Sequence, residues 1–160
     1  MREHFKNAGE KAIVEFGADS KLVDGYATEA TIRTHSLIVD EPAVLGGTDT
    51  GPNPVELVLA ALGTCQEIVY ATYARVLGIP FDSISISAKG TLDARGFYGV
   101  ADVPAGYKEV RFDVDVRSSA SREEIDRLVA TVNEHCPVLD IIQRAVPIAG
   151  TYSHNGVARQ

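Results

Sequence analysis

The chain has 160 residues and a mass of 17.1 kDa, with two cysteines, one methionine and no tryptophan. That is one domain's worth of sequence, able to bury about two thirds of its surface and to build a core without disulfide staples. Hydrophobic content of 45% and charged content of 23% exclude a disordered or fibrous chain, and a formal charge of -7 argues against the basic face that general nucleic-acid binding requires.

The first residues, MREHFKNAGE, hold no apolar core of a secretion signal. The stretch VELVLAALGTC is 11 residues long and contains Glu56, short of a membrane span. A cytoplasmic, reducing setting is therefore expected, with neither nucleic acid nor membrane as partner, and a permanent disulfide is not expected there.

Residues 11–16 and 23–32 read as strands around an Asp24–Gly25 turn, and 35–42 as a third strand ended by Pro42. The segment VLGGTDTGPNP, residues 44–54, is rich in glycine and proline and is the clearest loop. Asn53 as cap and Pro54 as first residue open a helix that Gly78 and Pro80 stop near residue 77. Apolar residues cover this helix almost all round, the pattern of a buried central helix that wants a second subunit around it.

Residues 83–89 and 107–117 alternate strictly, with Val110, Phe112, Val114 and Val116 on the inward side, and read as sheet strands with one wet face. Ser121 and Glu124 form a capping box ahead of a helix ending near His135. Pro137 opens a shorter helix capped by Cys136, and IAGTY, residues 148–152, returns to the sheet. The order β-β-β-α-β-β-α-α-β describes one α+β domain over residues 1–160.

The two cysteines are either inert core residues or reactive thiols. Cys136 sits at a helix start, where unpaired backbone N–H groups and the neighbouring His135 would lower its pKa. Cys65 has no such local help, so a cation must reach it from elsewhere, and Arg33 and His35 are the nearest candidates in sequence. Glu56 lies nine residues before Cys65, about 180° away around a straight helix, while Val58, Ala61 and Leu62 give Cys65 an apolar side.

Other chemistries fit less well. Cys65, Cys136, His35 and His135 are zinc-ligand types, but their spacing is not that of a finger, and no metal or cofactor is expected. A Cys–His hydrolase lacks any local oxyanion loop. The glycine loop precedes a helix but lacks the Lys-Ser/Thr ending of a phosphate loop, so its glycines and prolines are read as shaping the entry into the helix.

Two segments, DEPAVLGGTDTGPNPVELVLAALGTC (40–65) and NEHCPVLDIIQRAVPI (133–148), resemble the OsmC/Ohr family of osmotically inducible and organic hydroperoxide resistance proteins. The resemblance rests on the Asn-Pro pair separated from Cys65 by ten residues and on Cys136-Pro137-Val138, and it covers most of the chain. It implies an OsmC-like α+β fold, with antiparallel sheets packed around a long buried helix in an intertwined homodimer. It also implies a thiol peroxidase that reduces small organic hydroperoxides. Cys65 would attack the peroxide, Cys136 would resolve the sulfenic acid, and an external dithiol of lipoyl or thioredoxin type would reset the pair. In the family a glutamate directly after the Asn-Pro pair holds an activating arginine. Here that position is Val55 and the glutamate is Glu56, about 100° further round the helix, with Arg33 the best positional match for the arginine. The alternative is a non-peroxidatic member that binds an apolar or thiol-reactive small molecule at the dimer cleft.

Overall fold

The computed structural model describes residues 5–159. The chain divides into two compact units, with the boundary along the chain between Leu57 and Val58.

The first unit carries an antiparallel three-stranded sheet, β1 (Asp19–Asp24), β2 (Ala27–Ile32) and β3 (His35–Val39), in the order β1-β2-β3. Asp24 pairs with Ala27 across the expected turn, where Gly25 takes a left-handed φ of 53°. Residues 11–16 are not a strand. Gly9–Ala12 form a 3-10 turn, and the first strand is the more polar Asp19–Asp24. Its pairing partners, rather than its own hydrophobicity, make it a strand.

The loop after β3 is organised by Asp40, which is 2% exposed. Its carboxylate accepts the backbone N–H groups of Glu41, Thr48 and Thr50 and the hydroxyls of both threonines, at 2.7–3.1 Å. These bonds hold its carboxyl far below the usual carboxylate range, the Thr48 hydroxyl contributing most. The anion held by this loop is thus its own side chain. Glycine is required at Gly47 and Gly51, where a Cβ would fall 1.9 Å from the Glu41 carbonyl oxygen and 2.2 Å from that of Ile38.

The loop delivers the chain into α1, Pro54–Leu77, with the expected bounds. Asn53 accepts from the Val55 N–H through its side chain, and Glu56 accepts from the Asn53 N–H at 2.9 Å, so both side chains cap the helix start. As a whole this helix is long and apolar enough to cross a membrane by length and composition, so the 11-residue count understated it. Here it serves as a core helix that buries Leu62, Gly63, Gln66, Tyr70 and Ala74.

In the second unit β4 (Ser83–Leu92) pairs antiparallel with β5 (Tyr107–Arg117), and the intervening loop holds a helical turn, α2 (Ala94–Phe97). Helix α3 (Arg122–His135) starts at the Ser121–Glu124 capping box, and α4 (Pro137–Gln143) follows directly. Tyr70, Ala74, Ile79, Leu128 and Val132 form the main core, packed by Ile84, Ile86, Val114 and Val116 from the inward face of β4 and β5. The chain's end does not rejoin a sheet. Tyr152–His154 (β6) and Val157–Arg159 (β7) form their own hairpin over Asn155–Gly156, both with positive φ.

Within the single chain α1 is covered only in part. Its apolar surface is buried on one side only: Val58, Ile68 and Val76 are 41%, 67% and 40% exposed. At about 100° per residue, these three fall within about 80° of one another, together with Ala61 and Thr72.

Candidate functional site

Helix α1 and the α3–α4 junction bring the two cysteines together. The Cys136 thiol points at the Cys65 sulfur, with the sulfurs 3.6 Å apart, and neither is in a disulfide. Their surroundings are apolar. Leu62, Leu139 and Cys136 form a second buried cluster, and Cys65, Val69, Ala88, Val110, Phe112 and Val138 pack against it.

The two thiols differ in access. Cys136 is 1% exposed, whereas Cys65 is half-buried. On the helical wheel Cys65 falls between Leu62 on the buried side and Ala61, Ile68 and Thr72 on the exposed side. Cys65 therefore falls within the arc of the exposed apolar stripe, between Val76 and Thr72.

The electrostatics of Cys136 oppose the helix-start expectation. The N–H groups of Leu139 and Val138 do favour its thiolate, but burial and the adjacent Cys65 sulfur outweigh them and push its pKa up. His135 is turned away from this task. Its Nδ1 donates to the Thr131 carbonyl at 2.9 Å, and its ring packs on Tyr73 with centroids 4.9 Å apart.

The expected activating groups lie elsewhere in the sequence. Arg33 is exposed in the two-residue turn between β2 and β3, with a left-handed φ of 57° and no ion pair among the described residues. Glu56 is engaged in the cap of α1. By contrast Arg95, Arg111, Arg117 and Arg144 are paired to Asp93, Glu109, Asp115 and Asp140. No three His, Cys, Asp or Glu side chains gather as a metal site among the described residues.

Behind the cysteine cluster lies an open groove of about 410 Å³. Val58, Leu62, Val110, Phe112 and Leu139 form its apolar walls, and Lys108, Glu109 and Gln143 its polar rim. Leu62 and Leu139 thus face the groove and the sulfur pair at once. Two buried polar residues escaped sequence reasoning: Asp40 of the first unit, whose threonine partners lie eight and ten residues away, and Gln66, a wholly buried amide next to Cys65. The only sequence signal for Gln66 is a polar residue in the middle of an apolar arc.

The sequence pattern of the OsmC-like protein family matches residues 47–150, a span holding the glycine loop, α1 and both cysteines. The chain belongs to the OsmC-like family. Solved structures agree on the fold. An OsmC-like protein from Mycoplasma pneumoniae is 18% identical, with a TM-score of 0.71 over 81% of this chain and 88% of that one. An organic hydroperoxide resistance protein OsmC from Legionella pneumophila is 24% identical, with a TM-score of 0.62 over 82% and 92%. An organic hydroperoxide resistance protein from Elizabethkingia anophelis is 19% identical, with a TM-score of 0.60 over 80% and 87%. No curated protein matches the chain. The likeness to these structures is one of fold: an OsmC-like α+β architecture with antiparallel sheets and a long helix.

Proposed function

We propose that the chain is a thiol-dependent peroxidase that reduces organic hydroperoxides to alcohols. The observation that carries this reading is the 3.6 Å contact between an accessible and a buried thiol. The Cys65 thiolate attacks the outer oxygen of the hydroperoxide. The O–O bond breaks, the alcohol leaves with a proton, and Cys65 becomes a sulfenic acid. The Cys136 sulfur attacks that sulfenic sulfur, water leaves, and a Cys65–Cys136 disulfide forms. An external dithiol of lipoyl or thioredoxin type then exchanges with the disulfide, ending as its own disulfide and returning two thiols.

The apolar stripe beside Cys65 suits an alkyl substrate, and two of the similar structures are organic hydroperoxide resistance proteins. In this reading residues 1–160 act as one domain, in a homodimer that covers Val58, Ile68 and Val76, within a reducing cytoplasm. Arg33, with its uncommitted charge, and Glu56 are the pair that activates Cys65 within that dimer.

A second reading, a binding protein without peroxidase turnover, is favoured by Glu56. Its carboxylate caps α1 while Val55 occupies the family's glutamate position. Consumption of cumene hydroperoxide with a dithiol reductant separates the two. Turnover by the wild type, lost in Cys65→Ser, supports the peroxidase. No turnover with either reductant type supports the binding protein.

A further inference from the structure

We infer that Gln66 and Asn133 are a positioning pair that holds the two cysteine sulfurs in register. The inference rests on the thiol-redox reading above and adds two residues to it. Gln66 directly follows Cys65 on α1 and is 0% exposed, wholly buried in a helix face otherwise made of Leu62, Gly63, Tyr70 and Ala74. A buried amide is costly unless it is hydrogen-bonded, and hydrocarbon at this position would pack without that cost. Its Nε2 donates to the Asn133 Oδ1 at 3.3 Å, while its own Oε1 is buried with no partner. The Asn133 bond is therefore what offsets the burial.

The placement of that bond gives it a use. Asn133 lies in the last turn of α3, three residues before Cys136. The amide–amide bond thus ties α1 to α3 one residue from the first sulfur and one turn from the second. Successive side chains on a helix point about 100° apart. Gln66 therefore reaches α3 while Cys65 faces Cys136, and the two contacts brace the same pair of elements from adjacent directions. A brace of this kind raises the effective concentration of one thiol at the other. That favours disulfide closure over two independent thiols.

The test uses the dithiol–disulfide equilibrium, which needs no peroxide. Reduced full-length protein is equilibrated with glutathione buffers of graded thiol-to-disulfide ratio, so that one glutathione disulfide is consumed and two thiols released per Cys65–Cys136 bond formed. The fraction oxidised is read by acid quench and mass spectrometry. Asn133 is exposed, so Asn133→Leu removes the acceptor without opening a cavity in the core, and it should lower the equilibrium constant roughly three- to ten-fold, as expected for one lost hydrogen bond. Gln66→Met should do the same, and the double variant should fall no further than either single change. Asn133→Asp keeps the acceptor oxygen and should stay within roughly two-fold of wild type. Wild-type equilibria in Asn133→Leu, or an Asn133→Asp as impaired as Asn133→Leu, would overturn the positioning role alone. A wild type that forms no Cys65–Cys136 disulfide at any ratio would overturn the redox reading, and the positioning role with it.

Discussion

The Cys136 sulfur lies 3.6 Å from that of Cys65, in contact but unbonded, within an apolar cluster shared by α1, α4 and the β4–β5 sheet. A disulfide needs about 2.05 Å, so the sulfurs must close by roughly 1.5 Å. In the proposed cycle this is the bond that forms and is undone.

The asymmetry of the pair predicts an order of reaction. Cys65 is half-buried within the arc of α1's exposed stripe, whereas Cys136 is buried and its pKa is raised by desolvation. Iodoacetamide at neutral pH should label Cys65 first, with Cys136 following only above the ordinary thiol range or after unfolding. Peptide mass spectrometry over time reads this order. Equal labelling rates would contradict it.

Asp40 predicts a pH dependence. Its carboxyl is held below the usual range in the folded chain, chiefly by Thr48, so its contribution to stability is present above the unfolded carboxylate pKa of about 3.9. That contribution is lost as pH falls below this value toward the lower folded one. Urea midpoints should therefore drop on acidification in the wild type. In Asp40→Ala the midpoint should be lower at neutral pH and the acid slope shallower. The loop at residues 44–53 should also become the first site of proteolysis. An unchanged slope would show that the five bonds to this carboxylate do not matter.

The exposed stripe on α1 predicts an assembly. Ile68 is 67% exposed in the chain, close on the wheel to Val58 and Val76. In the proposed homodimer it is covered, so the wild type should run as a dimer in light scattering. Ile68→Asp should shift it to a monomer that keeps its far-ultraviolet helix signal. A monomeric wild type would remove the dimer from the account.

Most of the fold was readable because its boundaries are written in local chemistry. Asn53–Pro54, Ser121 with Glu124, and Cys136–Pro137 mark three helix starts, and alternation marks β4 and β5. The failures are nonlocal. Residues 11–16 look like a strand but find no pairing partner, whereas Asp19–Asp24 gains one through β2. Asn155–Gly156 is a local hairpin signal, and it joins Tyr152–His154 to Val157–Arg159. Cys136 shows the limit for the site. Its position at a helix start was legible, but the burial that reverses its pKa comes with packing against Leu62 and Cys65, on a helix far away in sequence. Gln66 and Asn133 are 67 residues apart, and no local pattern joins them.

The most direct test of the central claim is a single-turnover titration of the reduced protein with one equivalent of cumene hydroperoxide. The account predicts one cumyl alcohol per chain and a mass lower by two hydrogens, with tryptic peptides joined through Cys65 and Cys136. It predicts for Cys136→Ser a Cys65 sulfenic acid that dimedone traps. Unreacted hydroperoxide with both thiols intact in the wild type would contradict it.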